Sequence, residues 1–149
     1  MALFQLDFTS LLEAERSALE KFIEVLKREE AALIHGKIEQ IDSFISTKSY
    51  CIEELMQIDN KRNHFILNQG ITLESSCINK WLQEKYSDRF EVQILWSELL
   101  ALANIAKIIN YSNGLMISNR LKYIERTYAA LYCAAGKISL YGSKGQAYI

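Results

Sequence analysis

The sequence has no proline among its 149 residues, where an average composition of roughly 5% would supply about seven. Proline lacks an amide hydrogen and its ring clashes with the preceding turn of a helix, so its absence leaves room for long uninterrupted helices. Cysteine is scarce, odd in number and dispersed, at Cys51, Cys77 and Cys133. That pattern fits reduced, partly buried thiols far better than a disulfide framework or a zinc site. The two histidines, His35 and His64, are not spaced as a metal pair, and both read as surface residues. No metal or other cofactor is expected. No contiguous apolar run approaches the ~18–20 residues a bilayer span needs. The opening Met1–Asp7 lacks the basic flank, apolar core and cleavage site of a signal peptide, so a cytoplasmic protein is expected.

Half of the residues are apolar and 23% are charged, as in an ordinary soluble domain. The net charge is only −1, but it is unevenly spread. Residues 1–59 carry 12 acids against 6 bases, and after residue 100 Glu125 is the one acid. The simplest reading is that an acidic N-terminal hairpin complements a basic C-terminal helix. Nucleic-acid binding would need a denser basic cluster with interleaved aromatics.

The apolar spacing is helical throughout. Ser10-Leu-Leu-Glu13 has the form of a capping box. It introduces an amphipathic helix through Leu12, Leu19, Phe22, Ile23, Leu26 and Leu33, with charges on the other face that include the pair Glu29-Glu30. Gly36 marks a turn, since glycine takes the left-handed conformation just past a helix end without steric cost. A second helix is predicted from about Lys37 to Asn68, on a seam of Ile38, Ile41, Ile45, Lys48, Ile52 and Leu55 in heptad rhythm. Lys48 on that seam can pack its stem while its amine reaches water. Two such helices joined by a short turn make an antiparallel hairpin.

After Gly70, Ser75 or Ser76 can cap a short helix through Ile78, Trp81, Leu82 and Tyr86, with a bend or a new start near Asp88-Arg-Phe-Glu91. A long third helix then follows the seam Leu95, Leu99, Leu102, Ala106, Ile109, Asn113 and Met116. It continues with a phase shift through Leu121, Ile124, Tyr128 and Leu131. Asn113-Gly114 is a turn signal, but the seam keeps helical phase on both sides. A helical glycine costs only ~1 kcal/mol relative to alanine, so one continuous helix is predicted. The fold class is therefore all-α, an elongated three-helix bundle or coiled coil over residues 1–136. A flexible, glycine-containing C-terminal tail follows over 137–149.

The residues do not assemble an enzyme. There is no strand to carry a phosphate loop, no nucleophile-elbow serine, no cysteine–histidine pairing in sequence, and no Glu-x-x-His motif of a di-iron bundle. A binding role accounts for more of the chain. A thin bundle has much surface for its volume, and the third helix carries apolar residues beyond its seam, among them Trp96, Leu100, Ile105, Ile108, Leu115, Ile117, Tyr123 and Tyr132. One hairpin cannot cover them all. A partner helix or self-association as a homodimer would bury the excess; the alternative is an extra stripe folded back as core.

The third helix and tail resemble the FlgN family of flagellar export chaperones. The resemblance rests on Asn110-x-x-Asn113-Gly114-x-x-Ile117, Tyr128-x-x-Leu131 and Leu140-Tyr141-Gly142-x-x-Gly145. Upstream, Glu15-x-x-x-Leu19, Leu33-x-x-Gly36-x-Ile38-x-x-Ile41, Lys48-x-x-x-Ile52-x-x-Leu55 and Lys61-Arg62 are similar to the family's hairpin. The resemblance implies a cytoplasmic chaperone of type III export that binds the hook–filament junction subunits FlgK and FlgL, prevents their premature assembly and delivers them to the export gate. It implies that the C-terminal third binds the client, which together with apolar exposure places the client helix on Leu121, Ile124, Tyr128 and Leu131. It also implies that Tyr141, with Gly142 beside it, docks on the cytoplasmic domain of the gate's membrane protein. The competing reading is a structural coiled-coil adaptor or tether with no export role.

Overall fold

A computed structural model describes residues 7–134. The expected tail, with Tyr141 and Gly142, lies outside the described residues. Four helices follow in order: α1 (Phe8–Ile34), α2 (Ile41–Asn68), α3 (Ser75–Lys85) and α4 (Phe90–Ala134), with a 3-10 turn at Ile38–Gln40 leading into α2. The chain divides into two units, Met1–Asn110 and Tyr111–Ile149. The expected all-α architecture holds, and α4 is a single helix of 45 residues that passes through Gly114.

The ends of the helices follow local chemistry. α1 starts one turn earlier than the Ser10 capping box predicts, because the Asp7 carboxylate accepts the Thr9 amide at 3.3 Å and Phe8 is drawn into the core. At its other end Gly36 has φ 70°. The Lys37 amide reaches the Ala32 carbonyl at 2.9 Å and the Gly36 amide reaches that of Leu33 at 3.3 Å, the Schellman pattern that satisfies orphan carbonyls. α2 ends similarly at Gly70, φ 78°. α3 is preceded by Glu74 in an extended conformation with no side-chain cap, so neither Ser75 nor Ser76 caps it. The predicted new start is the break between Lys85 and Phe90. There the Glu91 carboxylate accepts from its own amide and from Arg89, which lowers its pKa.

The first unit is a bundle whose topology can be read from its polar contacts. Glu15 of α1 pairs with Arg62 of α2, and Glu29 with Lys48, so α1 and α2 are antiparallel. Lys48 also donates to Asn110 and Arg62 faces Trp96, so α4 runs antiparallel to α2. Arg16 pairs with Glu98 at 2.8 Å, placing α4 parallel to α1. The apolar core has two parts. One joins Phe8, Leu12 and Leu19 to Ile66 of α2, to Ile78, Trp81 and Leu82 of α3, and to Val92, Leu95 and Leu99 of α4. The other joins Phe22, Ile23 and Leu26 to Cys51 and Ala106. An aromatic cluster closes the α3 end: Phe8 stacks on Phe65 with centroids 5.3 Å apart and meets Trp81 edge-on at 5.1 Å.

One sequence expectation about α2 is corrected. Ile38, Ile45 and Ile52 do not line the seam; all three are exposed. The inward face instead runs through Ile41, Phe44, Lys48, Cys51, Leu55, Ile58, Arg62 and Ile66, and these keep the same 3–4 rhythm. The Lys48 amine, on a side chain that keeps 19% of its surface exposed, is also held by protein partners. It lies 3.2 Å from Glu29, which is only 1% exposed rather than on a solvated face, and 2.7 Å from Asn110. Within the first unit the α4 seam is placed as expected: Leu95, Leu99 and Ala106 are buried and Leu102 and Ile109 half-buried.

Candidate functional site

Two kinds of unusual chemistry stand out, buried charge and exposed apolar surface. The charged cluster centres on Arg62, which bonds the Glu15 and Asp59 carboxylates and lies 5.6 Å over the Trp96 ring. Burial pushes the Glu15 carboxyl above its usual range, and the Arg62 charge only partly offsets this. Among the described residues Glu15 Oε2 and Arg62 Nε find no hydrogen-bond partner. A buried ion pair of this kind is a poor source of net stability, but removal of one partner is costly because the other is left charged in a dry site. The pair Glu29–Lys48 forms a second polar layer further along the bundle. Both layers are internal to the bundle, and each fixes the register of the hairpin against α4.

The surface depressions carry little that could perform chemistry. One, of about 230 Å³, is lined by Thr9, Glu13, Arg16, Glu91, Ile94, Leu95 and Glu98. Another, of about 260 Å³, lies beside Ala31, His35, Lys37 and Phe44. His35 and His64 are both exposed. Among the described residues no group of three or more His, Cys, Asp or Glu side chains is placed to hold a metal ion. The thiols range from buried Cys51 through half-buried Cys77 to exposed Cys133, and burial raises the Cys51 pKa, which makes it a poor nucleophile.

Exposed apolar side chains are abundant on α4 from residue 111 onward. Leu121, Ile124, Tyr128 and Leu131 are 50–65% exposed. With Ile117 they recur at intervals of four, three, four and three residues and so form one stripe along the helix. Tyr132 adds to it, its ring 5.4 Å from that of Tyr128. The helix keeps these side chains in line because 111–134 contains no proline and one glycine, Gly114, around which there is open space. The sequence candidates on α4 are therefore brought together on one exposed face.

A second exposed stripe lies where sequence reasoning placed a seam. Ile45, Ile52 and Met56 on α2, with Ile38 in the turn before it, are 41–61% exposed. The signal was present in the sequence: Phe44, Cys51 and Ile58 repeat every seven residues beside Ile38, Ile45 and Ile52. Two adjacent stripes of equal period mean that only one can be the seam.

α4 also contains an 18-residue window with no more than two charged side chains, apolar enough by length and composition to cross a bilayer. The expectation that no segment reaches this level holds for contiguous apolar runs but not for a window average. A helix buried on one stripe and exposed on another has this composition, and the residues of α4 between 92 and 109 are of that kind, with Val92, Leu95, Leu99 and Ala106 in the core.

No curated protein and no solved structure gives a significant match to the chain. A family model described as FlgN protein matches residues 3–149, nearly its full length. The chain thus belongs to the FlgN family, a family of flagellar export chaperones.

Proposed function

We propose that this protein is a cytoplasmic chaperone for the hook–filament junction subunits of the FlgK and FlgL type, and that it holds a terminal helix of its client on the stripe Leu121, Ile124, Tyr128 and Leu131. The observation that carries the reading is the exposure of that stripe on a regular helix. An amphipathic client helix recognises such a face through apolar anchors three and four residues apart, and burying its own apolar face keeps it from assembling early. Tyrosine suits such a surface, because it brings a large contact area with few rotatable bonds. The basic residues Arg120, Lys122 and Arg126 favour encounter with an acidic client. Tyr141 and Gly142 are proposed as the contact with the export gate's cytoplasmic domain, which separates holding the client from addressing the gate.

The test is titration of peptides from the C-termini of FlgK- and FlgL-type proteins into the full chain. Leu131→Asp should weaken binding at least tenfold while the circular dichroism spectrum stays unchanged. Undiminished affinity would move the site elsewhere, and no binding by the unsubstituted chain would leave a structural adaptor or tether as the better reading. Tyr141→Ala should leave client affinity intact and reduce gate binding. Loss of the fold in that variant would contradict the role given to Tyr141.

A further inference from the structure

The exposed stripe on α2 has no role in that reading, and its properties match the stripe on α4. Ile45, Ser49, Ile52 and Met56 are spaced four, three and four residues apart, a seam in the same rhythm as Ile117–Leu131. The first covers roughly 17 Å of helix and the second roughly 21 Å at 1.5 Å per residue. Helices whose apolar residues share a 3.5-residue repeat pack knobs into holes. The charges around the two stripes are opposite. Over the stripe itself and the turn before it, residues 38–56 hold Glu39, Asp42, Glu53 and Glu54 against Lys48, which pairs inward with Glu29, whereas residues 117–131 hold Arg120, Lys122 and Arg126 against Glu125. An ion pair between α1 and α4 does not discharge this asymmetry, because Arg16–Glu98 has its base on α1 and its acid on α4.

We infer that the α2 stripe receives the Ile117–Leu131 stripe of a second copy of this chain. Each copy carries both stripes, so the contact proposed is between two copies of one chain, the α2 stripe of one against the α4 stripe of the other. The dimer covers the surface assigned above to the client, and this part of the inference rests on that assignment. Client and second copy then compete, and the apparent client affinity is lowered by the fraction of chaperone whose stripe is covered. The apolar face is thus hidden in the free protein and released when a client replaces the second copy.

Sedimentation velocity of the full chain over a range of concentrations tests the contact. The expected result is a mass that rises to that of two chains and falls again as salt screens the opposed charges. Ile52→Asp and Ile124→Asp, both at exposed positions, should each be monomeric with unchanged helicity. An equimolar mixture of the two should regain part of the dimer, because the intact α4 stripe of the first variant can dock on the intact α2 stripe of the second. Dimerisation of Ile52→Asp alone would indicate an α4–α4 contact and overturn the proposal, as would a mixture that stays monomeric or an unsubstituted chain that is monomeric throughout. Ile52→Asp should bind client peptide at least as tightly as the unsubstituted chain, whereas Ile124→Asp should lose it. If no peptide binds to either while the dimer behaves as described, the client assignment fails and the self-contact stands.

Discussion

Two stretches of α4 are built from similar residues and meet different surroundings. Between residues 92 and 109 the stripe Val92, Leu95, Leu99, Leu102, Ala106 and Ile109 is buried or half-buried, in contact with the core of the first unit. Between 117 and 131 the stripe Ile117, Leu121, Ile124, Tyr128 and Leu131 is exposed. Both are helical, but the first is the more apolar, with 13 apolar residues of 18 against 8 of 15. The first stretch faces its hairpin across polar contacts that fix register, Arg16–Glu98 and Lys48–Asn110. The second is rich in tyrosine and basic residues. The buried apolar stripe is flanked by specific polar pairs, whereas the exposed one, proposed above as the client surface, is flanked by charged side chains.

The largest effect expected from breaking this contrast is at Arg62. Arg62→Ala leaves Glu15 buried without its counter-charge and should cost ~3–5 kcal/mol, seen as a lower midpoint of urea unfolding. The same substitution in one helix then sharpens the comparison. Leu99→Ala opens a cavity in the core and should cost ~2–5 kcal/mol, whereas Leu121→Ala, half exposed, should stay within ~0.5 kcal/mol while weakening client binding. Equal losses would mean that the two stretches are not used differently. Gly114→Ala should stabilise the helix by up to ~1 kcal/mol, because an added Cβ meets nothing within 4 Å. A drop in melting temperature would contradict the continuous helix through that position.

The smallest effect is a pH dependence. Burial raises the Glu15 pKa, so the folded state holds this proton more tightly than the unfolded chain does. The associated stability is complete below the ordinary carboxylate value and is lost as pH rises through the raised one. Glu15→Gln removes that loss. Its unfolding midpoint relative to the unsubstituted chain should therefore improve from acidic to neutral pH, and a trend of the opposite sign would show the carboxylate to be net stabilised by Arg62.

Much of this was legible in the sequence where local chemistry decides the outcome. Gly36 ends α1 because the Schellman turn needs a left-handed residue, and the absence of proline together with the seam on both sides of Gly114 made α4 one helix. The misreadings arose where distant residues decide. Three isoleucines seven apart look like a seam, but the α2 seam is filled at two places by Lys48 and Arg62, whose value depends on Glu29 and Glu15 on another helix. Asp7 outcompetes Ser10 as the cap because Phe8 meets Phe65, Trp81 and Tyr86, which are more than fifty residues away. The exposed α4 stripe was legible because the helix carries more apolar residues than one hairpin can cover.

Amide hydrogen exchange of the full chain, with and without a saturating peptide from the C-terminus of a FlgK- or FlgL-type protein, tests the central claim most directly. The account predicts that peptide slows exchange chiefly in residues 117–132 and leaves the slowly exchanging core of α1 and of α4 around Leu95 and Leu99 unchanged. Protection confined to residues 7–110, with 117–132 unaffected, would contradict it.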